Sequence, residues 1–269
     1  MEISKTGLRR AKILELIKVS GKISIQEIIE ATGCSEATAR RDLDSLEKSG
    51  EIIRTIGGAI YDGDRTMVSE ASFADKRFSR LQDKERIARM AASLVEEGDV
   101  IGLTGGTTTF LIAKELKKLR NITIVTNAVN IAAELVDAED IQVVVTGGVM
   151  RTKSYELIGP LAESVVGKIN ITKMFLGVDG VSQEHGFTMH SELESRIAQQ
   201  LIERTSQVFA VFDDSKLRKS ALFTIVQLCQ VNGIITNRLP EEWNTLECGE
   251  RQIEVHIAAD EPQSGHGPF

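Results

Sequence analysis

The 269-residue chain is poor in the residues that announce a specialised chemistry. It has three cysteines, Cys34, Cys229 and Cys248. An odd number with no CxxC spacing argues against a disulfide framework or a zinc site. Its four histidines, His185, His190, His256 and His266, fall at no metal-ligand spacing. No metal and no cofactor are therefore expected. No run of about 18 apolar residues occurs, so no membrane span is expected. The opening MEISKTGLRR lacks the apolar core of a secretory signal, and a cytoplasmic location is the expectation. Positive charge is not in excess either, since the formal net charge is −7. Bulk charge of that sign argues against a polyanionic partner. Residues 1–60 hold ten Lys/Arg against nine Asp/Glu, and the remainder holds 22 against 30. Contact with nucleic acid would have to come from where particular arginines point.

What is present is an ordinary globular balance, 42% hydrophobic and 26% charged, at a length that suits two domains. Leu8, Ala11, Leu14 and Ile17, widened by Ile13 and Leu16, recur at helical spacing up to Gly21. Ser24 precedes IQEIIEAT, and Glu27 completes a capping box. Gly33 ends that helix and Ser35 caps a third. On the third helix Ala39, Leu43 and Leu46 cluster within about 60° and form its core face. Ala37, Arg41, Asp44 and Lys48 point the other way, with Thr38 and Arg40 on the flanks. Asp42 falls at the core edge and reads as structural. Asp44 and Glu47 would repel phosphate, so only the first two turns suit a major groove. The run EIIRTIGGAIY, with a glycine pair among isoleucines, reads as a hairpin that places Arg54 for backbone phosphate or a minor groove. Helix-turn-helix plus hairpin is a winged arrangement.

These residues resemble the winged helix of DeoR-family bacterial transcriptional regulators. The Ser-x-x-Thr-x-Arg-Arg-Asp-Leu-x-x-Leu-Glu pattern falls on Ser35, Thr38, Arg40, Arg41, Asp42, Leu43, Leu46 and Glu47, and the wing pair on Gly57 and Gly58. Ala39 stands where isoleucine is usual. The resemblance implies operator DNA as a partner, with Ser35, Thr38, Arg40, Arg41 and Arg54 as the binding residues.

Residues 62–75 are polar and aperiodic and read as a linker, with Phe73 placed to dock on the second domain. A helix is expected from Lys76, with Ile87, Met90, Ala91 and Leu94 on one face. From Gly98 strand-like runs at 99–104, 122–126, 141–146, 173–178, 207–212 and 233–236 alternate with helical patterns at 108–119, 128–137, roughly 160–168 and 190–204. Such alternation predicts an α/β domain with a mostly parallel sheet, spanning 76–258. Ligands of such sheets bind at the carboxyl ends of the strands. The first strand ends in Thr104-Gly105-Gly106-Thr107-Thr108, where glycines, hydroxyls and a helix N-terminus together can cradle one phosphate. The loop is neither GxxxxGK[ST] nor GxGxxG, so a nucleotide is not indicated. Thr126-Asn127, Gly147-Gly148, Asp179 and Lys216 end later strands. Small polar residues, carboxylates and one lysine at one sheet edge suit a phosphorylated polyol. Residues 259–269 read as a disordered tail.

The resemblance extends from about Phe73 to Asn237. DeoR-family effector domains resemble ribose-5-phosphate isomerase in fold, and their motifs match at Gly106, Thr107 and Thr108, Thr126 and Asn127, Gly147 and Gly148, Gly177, Asp179 and Gly180, and Asp213, Ser215 and Lys216. Thr104 departs from the pattern, which usually has Asp. The resemblance implies a sugar phosphate as effector and a homo-oligomeric repressor, dimer or tetramer, of a carbohydrate-utilisation operon. The alternative is a sugar-phosphate isomerase-like enzyme fused to a DNA-binding module, using Asp179 and Lys216 for proton transfer. Against it, Gly180 stands where the isomerases place a second carboxylate, so no catalytic residue is expected. A redox role for Cys34, in the turn before the third helix, is disfavoured, because a lone small residue in a turn is the plainer reading.

Overall fold

The computed structural model describes residues 5–48, 51–61, 70–243, 247–248 and 251–258. The chain divides into two compact units, Met1–Leu81 and Gln82–Phe269. The linker expected at 62–75 is described only from residue 70, and the expected tail at 259–269 lies outside the described residues.

In the first unit, α1 (Lys5–Ser20), β1 (Lys22–Ser24), α2 (Ile25–Thr32) and α3 (Glu36–Lys48) precede the wing strands β2 (Ile52–Thr55) and β3 (Gly58–Tyr61). The box at Ser24 and Glu27 forms, and Gly33 closes α2 in the left-handed region at φ 66°. The core gathers Ile13, Ile17, Ile28, Ala39, Leu43, Leu46, Ile52 and Ala59. The stripe on α1 is therefore centred on Ile13 and Ile17, while Leu8, expected inside, is 56% exposed. The unexpected strand β1 pairs antiparallel with β3, Ser24 opposite Gly58. This pairing explains the second wing glycine: a Cβ on Gly58 would lie 1.9 Å from the Ile23 carbonyl oxygen. A short helix α4 (Phe73–Lys76), capped by Ser72 and Asp75, follows. Phe73 is buried within this unit, beside β2.

The second unit begins with α5 (Leu81–Ser93), five residues later than expected because Ser72 starts a separate turn of helix before it. Then come β4 (Val100–Leu103), α6 (Thr107–Leu116), β5 (Ile122–Thr126), α7 (Val129–Glu134), β6 (Ile141–Val145), the hairpin β7 (Val149–Arg151) and β8 (Glu156–Ile158), α8 (Pro160–Val166) and β9 (Ile171–Gly177). The chain continues with β10 (Gly180–Ser182), β11 (Gly186–Met189), α9 (Glu192–Glu203), β12 (Thr205–Val211), β13 (Phe223–Val226), β14 (Gly233–Thr236), the short pair β15 (Glu247–Cys248) and β16 (Arg251–Gln252), and β17 (Glu254–Ile257). Seven strands form one sheet in the order β17-β14-β12-β9-β4-β5-β6, and every neighbouring pair is parallel. Successive side chains alternate between two cores, as a sheet covered on both faces requires. On β9, Met174 and Leu176 join one core and Phe175 the other. The short antiparallel sheet β10-β11-β13 accompanies it.

The strand order reverses at β4. The chain runs outward through β5 and β6, then returns to place β9 on the other side of β4. Such a switch point opens a crevice at the carboxyl ends of the two central strands. Cys229 is disulfide-bonded, contrary to the expectation of three separate thiols, while Cys34 is free. Spacing alone does not reveal such a pairing.

Candidate functional site

The outer face of α3 begins at Ser35, whose Oγ accepts from the Thr38 amide at 3.3 Å and lies 2.9 Å from Thr38 Oγ1. Ser35, Arg40 and Arg41 are exposed and Thr38 is half-buried. Arg40 is paired with Glu36 one turn back, at 2.7 Å. Such an exposed pair contributes little and exchanges readily for another anion. Arg41 has no ion-pair partner among the described residues. The geometry thus leaves one guanidinium free and a second loosely held on the first two turns of α3.

Arg54 is placed differently. Its guanidinium bonds Asp44 and the Gly58 carbonyl, both at 3.3 Å, and its side chain is only 13% exposed. It ties the wing to α3. Asp44 is correspondingly compensated, and burial pushes the Glu47 carboxyl up despite its bonds with Ser79 and the Arg54 amide. Asp42, 1% exposed, is structural as expected: Arg9 and Arg10 of α1 both bond it, Arg10 at 3.0 Å. Burial alone would raise its pKa, but the hydrogen bonds and charges of Arg9 and Arg10 hold it below the usual range.

In the second unit the loop after β4 lies at the switch point. Thr104 is buried and its Oγ accepts from the Gly177 amide at 3.0 Å, joining the ends of β4 and β9. Thr107 and Thr108 are buried on the first turn of α6, and Gly106 takes φ 135° as its cap. Among the described residues no hydrogen bond reaches the amides of Gly106, Thr107 and Thr108. Those donors are the first-turn orphans every helix has.

Thr126 is spent internally: its Oγ donates to the Leu103 carbonyl at 2.8 Å and accepts from the Ala128 amide at 3.1 Å. Asn127 is 1% exposed, and its amide nitrogen donates to Glu156 at 3.3 Å and to the Leu157 carbonyl at 3.4 Å. Its Oδ1 is buried with no partner. Gly147 and Gly148, both at positive φ, lead β6 into the β7–β8 hairpin.

That hairpin delivers a residue that the strand-end motifs did not reveal. The backbone of β8 pairs with the chain after β5: Leu157 donates to the Asn127 carbonyl at 2.6 Å, and Val129 to Tyr155 at 2.9 Å. Glu156 is thereby turned inward and 3% exposed, where Oε1 accepts from the Gly105 amide at 2.7 Å. This explains Gly105, because a Cβ there would lie 2.3 Å from Glu156 Cγ. Burial, then the charge and hydrogen bond of Glu194, push the Glu156 carboxyl well up. Glu194 itself is 4% exposed and bonded by Arg151 at 2.9 Å and by Ser154. A lone acid inside the apolar run Tyr155-Glu156-Leu157-Ile158 was the available sequence signal. Asn130, on α7, was also missed; both polar atoms of its amide are buried without partners.

Asp179 and Lys216 follow the carboxyl ends of β9 and β12, which lie side by side. A parallel bridge between Val181 and Leu217 keeps their segments adjacent. Asp179 accepts from the His190 amide at 3.4 Å, and Asp213 braces the Lys216 turn through the Ser215 amide at 3.1 Å. The structure therefore joins Thr104–Thr108, Thr126 and Asn127 through direct bonds and Glu156. Asp179 and Lys216 belong to a second cluster on the same sheet edge.

A winged helix-turn-helix unit and a parallel α/β unit with buried polar residues at its switch point define the class of a ligand-responsive DNA-binding regulator. Residues 9–65 match the DeoR-like helix-turn-helix domain and residues 79–238 the DeoR C terminal sensor domain, and the chain belongs to the DeoR family. It is 33% identical to the HTH-type transcriptional repressor GlcR of Bacillus subtilis, over 87% of this chain and 89% of that one. It is 34% identical to the HTH-type transcriptional regulator GlpR of Haloferax volcanii, over 85% and 89%. It is 28% identical to the glycerol-3-phosphate regulon repressor of Escherichia coli, over 88% and 92%. Among solved structures it is similar to ribose 5-phosphate isomerase A of Methanocaldococcus jannaschii at 19% identity and a TM-score of 0.38, over 50% of this chain and 53% of that one, a likeness too slight to carry an argument. No helix among the described residues is long and apolar enough to cross a membrane, and none of their His, Cys, Asp and Glu side chains group as a metal site.

Proposed function

We propose that this chain represses a carbohydrate-utilisation operon and leaves its operator when a phosphorylated sugar occupies the carboxyl edge of the seven-stranded sheet. The observation that carries the reading is the Gly105–Thr108 loop: it opens α6 at the switch point with unpartnered first-turn amides, and the neighbouring strand β5 is followed by Asn127, whose side-chain Oδ1 is buried without a partner. An anion is favoured at such a helix start. Ser35, Thr38, Arg40 and Arg41 contact the operator, and the effector touches Gly106–Thr108, Asn127, Asp179 and Lys216. Thr104, Gly105, Thr126, Gly147 and Gly148 shape that edge. The working protein is a cytoplasmic homo-oligomer, a dimer or tetramer, since paired half-sites call for paired recognition helices. It needs no cofactor and catalyses no reaction; its named relatives are regulators.

Control requires that the effector bind the DNA-incompetent arrangement more tightly, with a coupling typically of about 1–3 kcal/mol. A ligand with equal affinity for both arrangements shifts nothing. The test titrates operator-bound protein with ribose 5-phosphate, fructose 6-phosphate, glycerol 3-phosphate and further sugar phosphates while thermal shift reports binding. Binding that leaves DNA affinity unchanged would sink the switch. Turnover of ribose 5-phosphate, abolished by Asp179→Asn, would restore the enzyme reading.

A further inference from the structure

We propose that Glu156 is a positioning residue of the effector site: sharing one proton with Glu194, it orients Asn127 to accept an effector hydroxyl and links effector binding to that proton. The inference rests on the effector reading above and specifies its chemistry.

The orientation of Asn127 is fixed by its neighbours. The Leu157 carbonyl can only accept, so the group facing it is the amide NH2, at 3.4 Å. The same nitrogen donates to Glu156 Oε1 at 3.3 Å. Oδ1 is left as an acceptor, buried and without a partner. A buried acceptor of this kind calls for a donor. The phosphomonoester group of a sugar phosphate, with a second pKa of about 6, is mainly a dianion without a donor at neutral pH, whereas a sugar hydroxyl offers one. The phosphate therefore belongs on the amides of Gly106–Thr108, and a hydroxyl next to it belongs on Asn127.

Glu156 holds this arrangement together. Its Oε1 receives the Gly105 amide at 2.7 Å as well as Asn127. Burial, then the charge and hydrogen bond of the neighbouring Glu194, push this carboxyl well above the usual carboxylate range, which favours its protonated form. Among the described residues, Arg151 from β7 bonds the Glu194 side of the pair at 2.9 Å. Gly105, Asn127 and Ser154 contribute neutral dipoles. With one proton the pair carries a single negative charge, balanced by Arg151. Without it, a second negative charge would stand beside an incoming phosphate. An anion bound on the loop raises the Glu156 pKa further. The protonated form then binds more tightly, and affinity falls as pH rises through the pKa of the free protein.

The experiment is calorimetric titration of the full chain with ribose 5-phosphate, fructose 6-phosphate, glycerol 3-phosphate and inorganic phosphate, across about pH 6 to pH 9. Glu156→Gln mimics the protonated carboxyl, since its carbonyl can accept from Gly105 and Asn127 and its NH2 can donate to Glu194. Wild-type affinity should fall with pH, relative to this variant, by up to about tenfold per pH unit. The phosphate's own ionisation is common to both proteins and cancels. Parallel profiles overturn the proton linkage. If the variant does not fold, proton uptake by the wild type, read in two buffers of different ionisation enthalpy, decides instead; none beyond that of the ligand overturns it. Asn127→Ala should weaken the sugar phosphates by roughly tenfold and spare inorganic phosphate. An equal loss for both overturns the hydroxyl assignment. If no sugar phosphate binds the wild type, the effector reading falls and takes this inference with it.

Discussion

Thr104 Oγ accepts the amide hydrogen of Gly177 at 3.0 Å, and this one bond joins the ends of the two central strands where the sheet order reverses. Both residues are buried. The threonine that departs from the family pattern is thus a structural brace. Thr104→Val keeps the shape and strands the Gly177 amide, which should cost about 1–3 kcal/mol in denaturant unfolding. Thr104→Ser should retain most of that. Equal stability of valine and wild type would show that the brace contributes nothing.

Gly105→Ala tests the packing of the loop. The added Cβ would sit 2.3 Å from Glu156 Cγ, so either the loop or the β7–β8 hairpin must move. Operator binding should survive, because the first unit is untouched, while release by sugar phosphate is lost. Unchanged release in an operator-displacement assay would contradict this packing.

Arg41 and Arg54 should behave differently. Arg41 is exposed and unpaired among the described residues. If it reads a base, Arg41→Ala should cost roughly 1–3 kcal/mol of specific binding. Arg54 is tied to Asp44 and the Gly58 carbonyl. Arg54→Ala should lower the melting temperature of the wing and weaken all sequences alike, with little change in salt slope. Anisotropy titrations at several salt concentrations separate the two; a slope reduced by a full phosphate contact would show that Arg54 leaves Asp44 for DNA.

The Asp42 contact predicts an acid sensitivity. Its folded pKa is lowered, so its contribution is complete above the unfolded value, about 3.9, and is lost as pH falls through the folded value. Asp42→Asn should destabilise the first unit by about 1.5–3 kcal/mol at neutral pH. The difference from wild type should shrink below about pH 4. A difference that persists undiminished at lower pH would mean that the Arg9 and Arg10 bonds are not its cause.

Cys34 should carry no redox control. It lies half-buried against the helical core, beside the turn that opens α3. Cys34→Ser should leave operator binding, with and without peroxide, as in the wild type.

Much of this protein was determined locally and could be read in the sequence. The Ser24–Glu27 box, the Gly33 stop and the buried positions Ala39, Leu43 and Leu46 follow from capping and helical spacing, which act within a few residues. The strands at Ile122–Thr126 and Gly233–Thr236 follow from β-branched runs of the right length. The Gly105–Thr108 loop was legible because a strand, two glycines and a helix start lie in succession.

Other features were decided only by tertiary structure. Strand order places β9 beside β4, and no local pattern encodes which strands pair. Pairing of β1 with β3 turned a helix-capping segment into a third strand of the wing. Arg54, read as placed for backbone phosphate or a minor groove, also bonds Asp44 from another element. Glu156 reached Gly105 across 51 residues because β8 docks on the chain after β5. In each case the deciding bond joins groups far apart in sequence, and its strength depends on burial that exists only once the sheet has formed.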